Sequence, residues 1–132
     1  MEAKWRGPER RRFKRAVLSV QASIKMTRVP GGGMPSAEAH AARILNIGEG
    51  GLAFLSEAEV PLGVELEATF SFILSGRQER PVTVACRTCY CQLRGDYKTY
   101  QVGCEFTGIP EADRKLIADY VASAWAARRS KA

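Results

Sequence analysis

With 132 residues the chain is long enough to bury one hydrophobic core and too short for two. Its 45% hydrophobic and 26% charged residues are the proportions of a folded domain, which excludes a disordered chain, and no apolar run approaches the roughly 18 residues of a spanning helix. The formal charge of +6 is concentrated at the start, where the first 28 residues hold nine Lys or Arg against two Glu.

A basic segment of that kind attracts phosphates, an anionic membrane surface or acidic proteins, and charge alone does not choose among them. The opening Met-Glu-Ala-Lys-Trp-Arg lacks the apolar centre of a signal peptide, so a cytoplasmic protein is expected. In that reducing compartment Cys86, Cys89, Cys91 and Cys104 are expected as free thiols.

After the basic start, Ala16, Leu18, Val20, Ala22 and Ile24 alternate with Val17, Ser19, Gln21, Ser23 and Lys25, the period of a half-buried strand. Three glycines and two prolines between Val29 and Ser36 then favour a loop over any ladder. A second strand is expected over 39–47, a turn from Asn46 to Gly51, and a short buried strand at Leu52-Ala53-Phe54-Leu55. Pro61 and Gly63 mark the next turn. Leu66, Ala68, Phe70, Phe72 and Leu74 alternate with polar residues and predict a strand over 65–74.

A polar loop at 75–80, a strand over 81–93, a turn at 94–96 and a returning strand over 97–106 complete six strands. Pro110 suits a first helical position, Glu111 and Asp113 suit the first turn, and Leu116, Ile117, Tyr120, Val121, Ala124 and Trp125 recur at helical spacing. Many short strands without intervening helices predict a mainly β fold, an antiparallel barrel or sandwich, with the helix covering one end. The expected organisation is a basic tail at 1–8, one domain over 9–127 and a basic tail at 128–132.

Two constellations carry chemistry. Glu9-Arg10-Arg11-Arg12-Phe13-Lys14-Arg15 precedes the first strand, where guanidinium forks present paired donors to phosphate oxygens or to the O6 and N7 of guanine; a solvated charged tail is the plain alternative. Asn46-Ile47-Gly48-Glu49-Gly50-Gly51 joins two apolar strands, and its glycines permit close backbone approach to a ligand; an ordinary β-turn is the alternative there.

Together these segments resemble the PilZ domain family: Arg11 and Arg15 are spaced Arg-x-x-x-Arg, and Asn46 and Gly51 are spaced Asn-x-x-x-x-Gly. The second motif of the family is Asp or Asn, any residue, Ser, two of any residue, then Gly, so Gly48 stands where serine is expected. Gly51-Leu52-Ala53-Phe54-Leu55-Ser56, the Val60-x-x-Gly63 turn and Val102-Gly103-Cys104-Glu105-Phe106-Thr107-Gly108-Ile109 extend the likeness over most of the chain. The resemblance implies a six-stranded antiparallel barrel with a C-terminal helix, and cyclic di-GMP held on its outer surface. It implies that Arg11 and Arg15 take guanine edges and phosphates, joined by Arg10, that Asn46 bonds a guanine, and that Gly51 admits the ligand. A hydroxyl at position 48 would add a hydrogen bond to phosphate. Without it, affinity is expected to fall by about ten- to a hundredfold, the equivalent of roughly 1.5 to 3 kcal/mol.

Other readings carry less. Phe13 and Trp5 could stack on a base, though Phe13 is expected to pack on the barrel. A four-cysteine zinc site is disfavoured because Cys86 to Cys91 reads as a strand, with alternation sending Cys86 to the face opposite Cys89 and Cys91. His40, the single histidine, lacks an adjacent nucleophile, and no catalytic motif is present, so an enzyme is not expected. No cofactor is implied. Single-stranded nucleic acid is disfavoured because the basic excess is confined to the tail. The partners expected are cyclic di-GMP and an unidentified downstream protein, and Trp125, near the helix end, offers an anchor for a homo-oligomer.

Overall fold

A computed structural model describes residues 15–32, 39–74 and 76–130. Its strands are β1 (Arg15–Arg28), β2 (His40–Gly48), β3 (Gly51–Ser56), β4 (Glu65–Phe70), β5 (Ile73–Leu74), β6 (Arg77–Gln78), β7 (Val82–Leu93) and β8 (Tyr100–Gly108), followed by helix α1 (Glu111–Ser130). Six of them close an antiparallel barrel in the order β1-β2-β3-β8-β7-β4, and among the described residues β5 pairs only with β6. The barrel and the terminal helix agree with the architecture expected from the sequence.

The alternating residues fill the barrel interior: Ile24 from β1, Ile44 and Ile47 from β2, Leu52 and Phe54 from β3, Leu66 and Phe70 from β4, Val82 and Val84 from β7, and Val102 from β8 are all buried. Helix α1 lays Ile117 and Val121 on this core, with Leu116, Tyr120, Ala124 and Trp125 packed beside them. Pro110 sits one position ahead of the helix, its carbonyl accepting from the amides of Asp113 and Arg114. Glu111 and Asp113 in the first turn complement the helix dipole, and Arg80 pairs with Asp113 at 2.6 Å.

Three expected boundaries shift for physical reasons. The alternation predicts a strand through Leu74, but the β4 ladder ends at Phe70 opposite Val82. Phe72 stays in the core, its ring 4.5 Å from that of Tyr120, while the chain doubles back as the β5–β6 hairpin through Gly76 at φ +79°. The turn after β7 is longer than 94–96 because Asp96 organises it. Its Oδ1 accepts from the amides of Lys98 and Thr99, its Oδ2 accepts from the Thr99 hydroxyl, and Tyr97 takes a left-handed φ of 57°. Asn46 belongs to β2 rather than to a turn, and the reversal falls at residues 49–50.

Interruptions in register decide which residues face outward. The β2–β3 pairing shifts between Ile44 and Asn46, leaving Leu45 as an extra residue, so Ile44 and Ile47 can both point inward while Asn46 points out. A second shift between Thr88 and Tyr90 inserts Cys89 into β7. Cys86 and Thr88 therefore point inward and Cys89 is exposed. Cys91 packs against the core on the same side as Cys86, correcting the strict alternation expected from the sequence.

Candidate functional site

The outer face where β1, β2, β3 and β8 lie side by side collects the candidate residues. Arg15 opens β1 and lies directly opposite Gly48 of β2; Val17, 81% exposed, lies opposite Asn46. Since Ala16 and Ile47 between them are buried in the core, Arg15, Val17, Asn46 and Gly48 share the outer face. The Arg15 guanidinium donates from Nη1 to Asn46 Oδ1 at 2.9 Å, so the first and second sequence segments meet through their side chains.

Beyond Asn46 the outer side of the sheet continues through small residues, Ala53 and Gly103, that are themselves buried. Asn46 pairs with Ala53, Ala53 with Gly103, and Gly103 with Tyr90, a row running across four strands at about 4.8 Å per strand. A Cβ on Gly103 would fall inside the Tyr90 ring, so the glycine is what lets that ring lie against β8. The Tyr90 hydroxyl is fixed by Gln101 Nε2 at 3.0 Å. One row along, Gly51 faces Glu105, which pairs with Arg87 at 2.6 Å. A Cβ on Gly51 would collide with the Cys104 carbonyl, so only glycine allows β3 this approach to β8.

The turn at 49–50 is tied down from both sides. Phe106 donates its amide to the Gly50 carbonyl at 2.9 Å, and Arg114 of α1 donates to the Glu49 carbonyl at 3.1 Å. At the other end of the helix, Trp125 Nε1 donates to the Arg15 carbonyl at 2.8 Å. Trp125 is thereby engaged within its own chain, where the sequence reading offered it as an anchor for self-association. Neither contact is legible in the sequence, because both join residues distant along the chain through a backbone carbonyl.

Of the sequence candidates, Arg15, Asn46, Gly48 and Gly51 come together on one face. Arg10 and Arg11 lie outside the described residues, as do Trp5 and Phe13. Among the described residues no group of His, Cys, Asp and Glu is arranged to hold a metal ion. The Cys104 thiol, hydrogen-bonded to Cys86 and buried, is pushed well above the ordinary thiol range, and partial desolvation raises Cys89, whose residue remains exposed at the surface. Both therefore stay protonated at neutral pH, unlike a metal-bound or nucleophilic thiolate.

The family model of the PilZ domain matches residues 9–123. The chain belongs to the PilZ domain family. Solved structures agree at the level of fold. The inhibitor of motility MotI/DgrA of Bacillus subtilis superimposes with a TM-score of 0.74 at 14% identity, covering 98% of this chain and 57% of that one. The PilZ domain of YcgR from Escherichia coli, solved with c-di-GMP, gives 0.61 at 14% identity and covers 92% and 96%. The complex of K. pneumonia MrkH with c-di-GMP gives 0.64 at 17% identity and covers 93% and 56%. The chain thus spans little more than half of MotI and MrkH and nearly all of the YcgR domain. Among curated proteins none matches significantly. Among the described residues no helix is long and apolar enough to cross a membrane.

Proposed function

We propose that this PilZ domain is a cyclic di-GMP receptor, with residues 9–127 as the binding unit and the outer face around Arg15 and Asn46 as the site. The observation that carries the reading is the 2.9 Å contact between Arg15 and Asn46, which joins the two motif segments of a PilZ chain beside a row of small residues. Two structural neighbours solved with c-di-GMP support the choice of ligand.

In this reading Arg15 exchanges its bond to Asn46 for the ligand, Arg10 and Arg11 close over the phosphates and guanine edges, and Asn46 turns to a guanine. Gly51 admits the ligand. Binding then orders the arginine segment across the barrel and alters the surface offered to a downstream protein in the cytoplasm. The domain works by binding and not by catalysis.

Titration calorimetry at moderate salt tests this: heat with one saturable phase is expected, and its loss in Arg15→Ala and Arg11→Ala. No heat from the parent chain ends the reading.

One feature favours a second reading, a PilZ module that binds the dinucleotide weakly and acts through protein contacts. Gly48 lies opposite Arg15 in the β1–β2 ladder, at the position of the motif serine. Gly48→Ser is expected to tighten binding by about ten- to a hundredfold if position 48 belongs to a working site. Continued silence of that variant would favour the interaction module.

A further inference from the structure

Helix α1 does more than cover the barrel. Its apolar stripe of Ile117 and Val121 accounts for its adhesion, and two side chains add polar contacts to backbone carbonyls on the site side: Arg114 near its start and Trp125, whose ring continues the stripe while its indole N–H donates. Arg114 and Trp125 are eleven residues apart, about three helical turns or roughly 16 Å. One lands on Glu49, in the turn between Asn46 and Gly51; the other lands on Arg15, whose guanidinium holds Asn46.

The strand pairings explain why such contacts are needed. Among the described residues the β4 edge of β1 is paired from Ala22 onward, and residues 15–21 pair with β2. The register of that ladder is itself interrupted between Val17 and Val20. Trp125 supplies a donor to the Arg15 carbonyl in the part of β1 whose described ladder runs to β2.

We propose that Trp125 and Arg114 are positioning residues of the ligand site: from one rigid helix they fix the backbone on either side of the Arg15–Asn46 contact, and ligand occupancy is in turn felt at the C-terminal half of α1. The second half of this statement rests on the cyclic di-GMP reading; the first does not.

The experiment uses the full chain and three variants. Trp125→Phe keeps the ring and removes the donor, Arg114→Met keeps the stem and removes the guanidinium, and Val121→Ala loosens helix packing without touching either carbonyl. Backbone amide exchange is measured at residues 15–17 and 49–51, alongside thermal melting and calorimetry with cyclic di-GMP. Trp125→Phe is expected to speed exchange selectively at 15–17, and Arg114→Met selectively at 49–51. Trp125→Phe is expected to weaken cyclic di-GMP by about three- to tenfold, the worth of one neutral hydrogen bond, and Arg114→Met, which removes a charged donor, by about tenfold or more. Val121→Ala is expected to lower the melting temperature without that selectivity.

In a Trp5→Phe background, where Trp125 is the sole tryptophan, ligand is expected to shift its fluorescence. Exchange that is unchanged, or raised evenly over the barrel, overturns the positioning role. Normal affinity in both variants, or fluorescence blind to a ligand that calorimetry detects, overturns the coupling to the helix. Should the parent chain give no heat, the receptor reading fails with it, while selective exchange still decides whether the two side chains anchor this face.

Discussion

Asp96 shapes its turn through charge. Bonds from the Lys98 amide, the Thr99 hydroxyl and the Thr99 amide hold its carboxyl down to about 2. A carboxyl depressed in the folded state contributes stability that is fully present above its unfolded value near 4 and is lost as the pH falls through about 2. Carbon-detected titration of Asp96 is therefore expected to give a midpoint near 2, and a midpoint near 4 would contradict the turn geometry.

Two glycines at the same scale predict unequal costs. An added methyl at Gly51 meets the Cys104 backbone, which cannot swing away, whereas at Gly103 it meets the ring of Tyr90, a side chain that can. Gly51→Ala is expected to cost at least about 3 kcal/mol and Gly103→Ala about 1 to 2 kcal/mol, read from urea unfolding.

At the scale of elements, sequence pattern gave the strands their faces wherever the alternation ran unbroken. Leu66, Ala68 and Phe70 in β4, and Val82, Val84 and Cys86 in β7, are buried as their period requires. The pattern misled where a strand carries an extra residue. Period two from Ile44 would bury Asn46, and period two from Cys89 would keep Cys91 away from Cys86; Leu45 and Cys89 reverse both outcomes. A bulge is set by pairing with a neighbouring strand, so one strand's own residues do not reveal it. The same limit explains why Arg15, Asn46, Gly48 and Gly51 could be singled out by spacing while Arg114 and Trp125 could not.

Phe72 offers a test of how the β5–β6 excursion is held. It lies outside regular structure yet bridges Phe70, at 6.2 Å, and Tyr120 of α1. Phe72→Ala is expected to cost about 3 to 5 kcal/mol, as for a buried aromatic in a strand. A cost near zero would mean that α1 does not depend on this bridge.

For the molecule as a whole, the receptor reading makes stability depend on ligand concentration. A ligand that binds only the folded barrel adds about 2.7 kcal/mol at a hundredfold excess over its Kd. Scanning calorimetry with cyclic di-GMP is expected to raise the melting temperature progressively, with Arg15→Ala flattening the dependence.

The barrel closes where β1 meets β4, in a register that sets Ala22 against Phe70 and Ile24 against Ala68. That seam joins residues 37 to 48 positions apart, so during folding it must wait for a large loop to shut, and proteins governed by such distant pairings fold slowly. The stave carrying Arg15 is thus fastened on its second edge only when the seam forms. A chain still emerging from the ribosome, with β4 not yet made, would carry β1 with that second edge still open.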